Sequence, residues 1–266
     1  MRDMKLGVFD SGLGGVLIAR SIRERFESVD MLYLGDTLHI PYGNRSADAI
    51  YAYTERSIDY MFKAGCQIII MACNTASASA LRKLQQGYLA ENYPDRRVLG
   101  VVVPTIEYAI DKGFEHLGVI GTNYTISSDV YAEELKKINP SMRIIQQRTP
   151  LLVPLIENGG ERWLEDVLDS YIQPLIAQGI EALLLGCTHY ASFKDIIRKR
   201  YNLEVISQDE IVPYKLDLYF ERHPEIYNRL LLSGQNEFLV SDITPSYIEN
   251  AQRLYGREVN LKHVEL

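Results

Sequence analysis

Two cysteines in this sequence stand where reactive groups often stand in enzymes. Cys73 directly follows the apolar segment 68–72, and Cys187 follows the apolar segment 182–186. Uninterrupted apolar runs of this length are typical of strands buried on both faces of a parallel sheet. Open α/β sheets hold their ligands at the carboxyl ends of such strands. The sequence therefore predicts two thiols at ligand-bearing positions, an arrangement suited to proton transfer on both faces of one substrate.

The residues after each cysteine bear on whether the thiols could react. Asn74 and Thr75 place polar groups at the start of a predicted helix, and a helix N-terminus is expected to lower the pKa of Cys73 from about 8.5. His189 follows Cys187 by two residues and could take or return the thiol proton. Cysteines are also common as small apolar core residues, and His189 could be a cap or a core group. The presence of two such segments favours acid–base chemistry.

Three further features carry groups that active sites use. The glycine-rich turn 10–15 follows a strand, begins with Asp10 and could bring backbone N–H groups close to a ligand. It lacks the dinucleotide fingerprint and the phosphate-loop lysine, and a tight strand-to-helix turn explains it equally well. Asp36 ends the second predicted strand as a site residue or a cap. The Pro-Tyr-Gly segment 41–43 follows it as part of a site or simply as a turn.

The third cysteine has a different setting. Cys66 precedes a predicted strand, at the end opposite to the carboxyl edge, and is interpreted as structural. A zinc site built from Cys66, Cys73, Cys187 and His189 is conceivable, but its spacing matches no known closed site, so we expect no metal. Three cysteines in 266 residues do not form a disulfide framework.

The composition limits the class of protein. Hydrophobic residues make up 47% and charged residues 24%, which is typical of a soluble globular protein. The net charge of −7 argues against a nucleic-acid-binding face. No apolar stretch is long enough to span a membrane, and the N-terminus has no signal-peptide core, so we expect a cytoplasmic protein with no membrane partner.

The elements that must position these residues alternate along the chain. This alternation predicts an α/β fold in which helices flank mostly parallel sheets. The two cysteine-bearing strands look like counterparts in two similar domains, and an active site in the cleft between them would reach both faces of a substrate. The first domain is predicted at 1–98 plus 208–266, and the second at 99–207. Strands are predicted at 6–9, 31–34, 67–72, 98–102, 117–120, 143–147, 182–185, 204–206 and 237–240, and helices at 47–63, 76–93, 127–138, 161–177 and 247–255. Pro104 is expected near the start of a further helix.

Taken together, the motifs resemble those of the glutamate racemase family, within the aspartate/glutamate racemase superfamily. They occur in the family's order from near the N-terminus to residue 190, and the ordered set is far more specific than any single motif. The matching segments are 9–15, 35–37, 41–43, 72–77, 121–122 with Thr125, 152–157 and 185–190.

The resemblance implies interconversion of L- and D-glutamate by two cysteines without any cofactor or metal. Cys73 would act on D-glutamate with help from Asp10, and Cys187 on L-glutamate with help from His189. Asp36 and Glu157 match acidic positions implicated near the site, and Glu157 could orient His189. The positions implied to bind substrate are Asp10, Ser11, Pro41, Tyr42, Gly43, Asn74, Thr75, Thr122, Thr125, Thr188 and His189.

The resemblance also implies a biological role and leaves alternatives. The D-glutamate would supply peptidoglycan synthesis, and hence cell-wall biogenesis and cell shape, and the partner would be glutamate in a homodimeric enzyme. The chain departs from the family pattern at 38–40 and at Ala191, and neither departure touches a proton-transfer residue. An aspartate racemase or other superfamily member, a non-catalytic amino-acid-binding protein and a Cys/His metalloenzyme are the competing hypotheses.

Overall fold

The protein contains two parallel β-sheets. The computed structural model describes residues 3–266, apart from the side chain of residue 161. One sheet has six strands in the order β10-β9-β2-β1-β3-β4, and the other has four in the order β6-β5-β7-β8, with every pairing parallel. The strands are β1 Lys5–Asp10, β2 Met31–Gly35, β3 Cys66–Met71, β4 Arg97–Gly100, β5 His116–Gly121, β6 Arg143–Arg148, β7 Ala182–Gly186, β8 Glu204–Ile206, β9 Asn236–Val240 and β10 Leu261–His263.

Helices connect the strands and cover the sheets, as parallel connections require. They are α1 Gly15–Arg25, α2 Ala47–Lys63, α3 Asn74–Gln86, α4 Tyr88–Asn92, α5 Val102–Asp111, α6 Asn123–Ser127, α7 Val130–Ile138, α8 Leu152–Glu157, α9 Leu164–Ile176, α10 Lys194–Tyr201, α11 Gln208–Arg222, α12 Pro224–Tyr227 and α13 Pro245–Tyr255. Short 3-10 turns occur at Thr37–His39, Tyr42–Asn44, Glu161–Trp163 and Thr188–Phe193. The predicted α/β fold with two mostly parallel sheets is confirmed.

The central strands are apolar throughout because both of their faces are buried. In β3, Ile68 and Ile70 pack into one core layer while Ile69 and Met71 pack into the layer on the opposite face. In β7, leucines likewise alternate between the two core layers of the smaller sheet. Burial on both faces explains why the apolar runs before Cys73 and Cys187 show no alternation with polar residues.

Several predicted boundaries are wrong in instructive ways. Strand β4 ends at Gly100 and α5 begins at Val102, so Pro104 is the third residue of its helix. A proline fits there because N–H groups of a first turn have no partner within the helix. The helix predicted over 76–93 breaks at Gly87. The helix predicted over 127–138 begins after Asp129, whose φ of 53° lies in the left-handed region. Strand β10 was not predicted.

The chain crosses between the sheets twice. It passes from β4 into α5, and it returns from β8 into α11. The two crossing helices pack together, with Lys215 Nζ of α11 donating to Glu107 Oε2 of α5 at 3.0 Å. Among residues 3–266, no helix combines the length and apolar character needed to cross a membrane.

Candidate active site

Cys73 lies at the carboxyl end of β3 and caps the N-terminus of α3. Its Sγ accepts a hydrogen bond from the backbone N–H of Ala76 at 3.4 Å and lies 3.2 Å from Ser11 Oγ. The residue is 6% exposed. The predicted position of this thiol, at a strand end and a helix start, is therefore what the structure shows.

The protonation state expected for Cys73 is wrong. Burial raises the pKa of its thiol to about 12, and the nearby Asp10 carboxylate raises it further. The hydrogen bonds from Ser11 and Ala76 act in the opposite direction but do not compensate. Desolvation outweighs the helix N-terminus because a buried thiolate loses its hydration. Burial therefore favours the neutral thiol at Cys73, the form that can donate a proton.

Asp10 lies at the end of β1, beside the same strand end, and is 1% exposed. Its Oδ2 accepts hydrogen bonds from the N–H groups of Gly12 at 3.2 Å and Gly15 at 3.0 Å. Burial raises the pKa of the Asp10 carboxyl, while the His189 charge and these backbone bonds oppose the shift. Two backbone N–H groups of the glycine-rich turn thus hold the Asp10 carboxylate in place.

Cys187 lies at the carboxyl end of β7 in the smaller sheet and has a histidine and a carboxylate behind it. Its Sγ is 3.8 Å from His189 Nδ1, and His189 Nε2 is 2.9 Å from Glu157 Oε1, at the end of α8. Burial alone would lower the pKa of His189, but the hydrogen bonds with Cys187 and Glu157 and their charges raise it well above its ordinary value. The structure therefore favours an imidazolium next to Cys187.

The two cysteine-bearing strand ends face each other. Thr188 Oγ1 donates to Asp10 Oδ1 at 3.4 Å, which joins the two sheets across the site. A Cβ atom at Gly14 would overlap Thr188 Oγ1 and lie 2.5 Å from His189 Nδ1, so only glycine allows this close approach. The charge of Cys187 also acts on Cys73.

Three hydroxyl groups form a second contact across the cleft. Thr75 Oγ1 lies 3.0 Å from Thr122 Oγ1 and 3.2 Å from Thr125 Oγ1, and the latter two are 3.0 Å apart. Gly43 packs against this group, since a Cβ there would lie 2.8 Å from the Cβ of Thr122. The hydroxyls can donate or accept, so they can meet either polar end of an amino acid.

Asp36 lies apart from the cysteines, and both of its carboxylate oxygens have hydrogen-bond partners. Its carboxylate accepts hydrogen bonds from Tyr42 Oη at 2.6 Å and Ser241 Oγ at 2.6 Å and pairs with His39 Nδ1 at 2.8 Å. Among the described residues, neither cysteine bonds to this carboxylate. Asp36 thus anchors the loop that contains exposed Pro41, and its predicted catalytic role stays a prediction.

Several residues of this region were not found by sequence reasoning. His39 and Ser241 complete the Asp36 cluster, and Tyr131 and Gln208 bond to Asn74. None stands in a segment that the motifs marked, and all except His39, which lies three residues from Asp36, are distant in sequence from their partners. His39 does fall in 38–40, where the chain departs from the family pattern, and that departure was the available signal. Cys66 is fully buried at the amino end of β3, as interpreted, and burial raises the pKa of its thiol to about 12.

The described part of the chain contains no group of three or more His, Cys, Asp or Glu side chains placed to hold a metal ion. What the site offers is two thiols, one beside a carboxylate and a hydroxyl, the other beside a histidine–glutamate pair. Such groups can exchange protons with a carbon held between them.

Known proteins resemble the chain over nearly its whole length. The sequence profile of the Asp/Glu/Hydantoin racemase family matches residues 18–211. A glutamate racemase of Persephonella marina is 34% identical, covering 99% of this chain and 98% of the relative. The crystal structure of a Francisella tularensis glutamate racemase with D-glutamate matches with a TM-score of 0.90 at 28% identity, covering 100% and 98% of the chains. A Picrophilus torridus aspartate racemase shares the fold alone, with a TM-score of 0.59, 20% identity and coverage of 84% and 99%.

Proposed function

Because the chain belongs to the Asp/Glu/Hydantoin racemase family, we propose that it interconverts L- and D-glutamate by proton transfer between two cysteines, without a cofactor. The observation that carries this proposal is the pair of thiols on facing strand ends, with the Thr188–Asp10 hydrogen bond between them. We place the active site in the cleft between a first domain, which holds the six-stranded sheet, and a second, which holds the four-stranded sheet. The boundary predicted after residue 98 falls within β4, so we place the crossing after Gly100.

In the proposed reaction, each thiol works on one face of the α-carbon. With L-glutamate, the Cys187 thiolate removes the α-proton and becomes a thiol, while Cys73 donates its proton to the opposite face and becomes a thiolate. D-glutamate leaves, and the free enzyme regains its starting state when Cys187 loses its proton to water and Cys73 takes one from water. The unequal surroundings of the cysteines support this assignment, since burial raises the pKa of the Cys73 thiol, while the hydrogen bonds with Cys187 and Glu157 raise the pKa of His189 on the other side.

The difficult step is to remove a proton from a carbon that carries a carboxylate. Fixed dipoles around the carbanion-like transition state lower its free energy most when water is excluded. The buried hydroxyls of Thr75, Thr125 and Thr188 and the backbone N–H groups at the strand ends provide such dipoles. We assign substrate binding to Asp10, Ser11, Pro41, Tyr42, Gly43, Asn74, Thr75, Thr122, Thr125, Thr188 and His189.

Racemisation of L-glutamate in deuterium oxide tests the two-thiol reaction. In deuterium oxide the Cys73 thiol carries deuterium, and the proton removed from L-glutamate stays on Cys187. Early in the reaction deuterium should therefore enter the D-glutamate product and not the recovered L-glutamate. Early label in the recovered substrate would indicate a single base acting on both faces. Cys73→Ser and Cys187→Ser should each nearly abolish racemisation, and near-normal turnover by either variant would contradict the mechanism.

The competing functions give different results in the same assays. Faster turnover of aspartate than of glutamate, followed by circular dichroism, would favour an aspartate racemase. A binding protein would release no α-proton to solvent. Loss of activity on chelation, together with bound zinc, would favour a metalloenzyme.

We further propose that the enzyme acts as a homodimer in the cytoplasm and supplies D-glutamate for peptidoglycan, and hence for cell-wall biogenesis and cell shape. Cells depleted of the protein should need added D-glutamate to keep their shape and grow. Growth without that addition would argue against the role. Sedimentation of the purified protein as a monomer would argue against the dimer.

A further inference from the structure

A closed set of buried hydrogen bonds joins the two halves of the protein directly behind Cys73. Asn74 and Gln208 pair through both ends of their amides: Asn74 Nδ2 donates to Gln208 Oε1 and Gln208 Nε2 donates to Asn74 Oδ1, each at 2.8 Å. Tyr131 Oη donates to the same Asn74 Oδ1 at 2.5 Å and accepts from Gln208 Nε2 at 3.0 Å. The three residues are at most 3% exposed.

This network leaves the Asn74 amide with one hydrogen that it can still donate. Its oxygen already accepts two hydrogen bonds, which fills both lone pairs. Its nitrogen gives one hydrogen to Gln208, and within residues 3–266 no other acceptor takes the second hydrogen. Asn74 can therefore act toward a ligand only as a donor, which suits a carboxylate and not an ammonium group.

The partners of Asn74 come from elements that are distant in sequence. Tyr131 belongs to α7, which covers the smaller sheet. Gln208 is the first residue of α11, where the chain returns from the smaller sheet. Asn74 itself directly follows Cys73 at the start of α3. The network thus fixes the Asn74 amide beside Cys73. Tyr131, on the smaller sheet, and Gln208, at the start of the helix that returns from it, are the residues that hold it.

We propose that Gln208 and Tyr131 are positioning residues that hold the Asn74 amide as a donor to a carboxylate of the substrate. This inference rests on the proposed racemase function for the identity of the ligand. The hydrogen-bonded triangle itself does not depend on it. In a buried site, each bond of such a ring strengthens the next, so loss of one member releases the amide to rotate.

The first test is a double-mutant cycle with Gln208→Met, which keeps the length of the side chain and removes its polar atoms, and Asn74→Ala. Gln208→Met should lower kcat/KM about 10- to 100-fold, because the Asn74 amide loses a buried partner. In the Asn74→Ala background, the same change should have almost no further effect, because Gln208 acts through Asn74. Equal losses in both backgrounds would show a purely structural role and overturn the proposal.

Gln67→Met is the matched control. Gln67 is a fully buried glutamine that donates to the Asp95 carbonyl at 2.7 Å, at the amino end of β3 and away from the cysteines. It should lower thermal stability and leave kcat/KM unchanged. If Gln208→Met does not fold, Tyr131→Phe, which removes a single hydroxyl, replaces it in the double-mutant cycle with Asn74→Ala. The expected and the contradicting changes in kcat/KM are the same.

The second test does not require turnover of glutamate. In 15N-labelled wild-type protein, the Asn74 side-chain proton that is bonded to Gln208 should exchange slowly with solvent, and it should exchange faster in Tyr131→Phe. Fast exchange in the wild type would overturn the inference whether or not the protein racemises glutamate. Slow exchange in a protein that does not racemise glutamate would instead reject the proposed function and keep the network.

Discussion

Replacing Glu157 by Gln tests the electrostatics of the Cys187 side of the site. The substitution keeps the size of the side chain and removes the charge whose oxygen lies 2.9 Å from His189 Nε2. His189 is buried, so its positive charge depends on this carboxylate and on Cys187. We therefore expect a lower pKa for His189 and slower racemisation.

The size of the effect follows from the charge that is lost, because the glutamine oxygen can still accept the bond but carries no negative charge. A hydrogen bond to a charged group contributes about 1.5–3 kcal/mol. The Glu157 side chain is 28% exposed, so solvent screens part of the charge and the lower half of that range applies. At about 1.4 kcal/mol per pKa unit, the pKa of His189 should fall by about one to one and a half units. Because a histidine is positive below its pKa, the variant loses the imidazolium as the pH rises, at a lower pH than the wild type does.

Two measurements check this prediction. NMR titration of the His189 ring reports the pKa directly, and circular dichroism from pH 6 to 9 reports racemisation, which should fall about 10-fold in the upper part of the range. Because the two enantiomers have equal free energies in water, kcat/KM must fall equally in both directions, which provides an internal check.

The surface pair His223–Glu225 offers a matched control. His223 Nδ1 lies 3.1 Å from Glu225 Oε1, but the side chains are 44% and 63% exposed. Glu225→Gln should leave racemisation unchanged, because exposed pairs contribute little. An unmoved His189 titration in Glu157→Gln would refute the electrostatic argument, as would wild-type activity with the expected shift.

Three further predictions concern close packing, burial and the Asp36 cluster. Gly14→Ala should lower kcat/KM at least about 100-fold in a circular dichroism assay, because the new methyl group would displace Thr188 and His189; a near-normal rate would show that the loop adjusts. Cys66 should make the protein less stable as the pH rises from 9 toward 12, because the pKa of its thiol is near 9.0 in the unfolded chain and about 12 in the folded protein. In urea unfolding, the free energy of unfolding of Cys66→Ala should therefore fall less steeply with pH over this range. The same dependence on pH as in the wild type would contradict this. Tyr42→Phe should lower the free energy of unfolding in urea by about 1.5–3 kcal/mol, because the buried Asp36 carboxylate loses a donor, and no change would show that water replaces it.

The fold was predictable because its signals are local. Continuous apolar runs identified the buried strands, and their alternation with helices identified parallel sheets. Some short elements escaped, namely β10 with three residues and α8, which carries Glu157, with six, although the equally short β8 was predicted. The break after 127 depends on a left-handed Asp129, a conformation that no local pattern marked.

Contacts in the site were predictable between residues that are close in sequence, and they were not predictable between residues that are far apart in sequence. Cys187 and His189 are two residues apart and lie together. Asp36 and Ser241 are bonded although 205 residues separate them, and no pattern in one sequence links such pairs. The pKa of Cys73 was predicted in the wrong direction because a sequence shows the helix start and not the depth of burial, and burial dominates.

The unequal settings of the two thiols have a consequence for the enzyme between turnovers. In the proposed reaction the free protein exists as two proton isomers, one ready for each enantiomer, and every conversion of L- to D-glutamate leaves it in the other isomer. The raised pKa values of Cys73 and His189 favour the isomer that accepts L-glutamate. At high substrate concentration, the return to that isomer becomes a kinetic step of its own. For a time after each turnover, the proton isomer of the free enzyme would then depend on which enantiomer it last released.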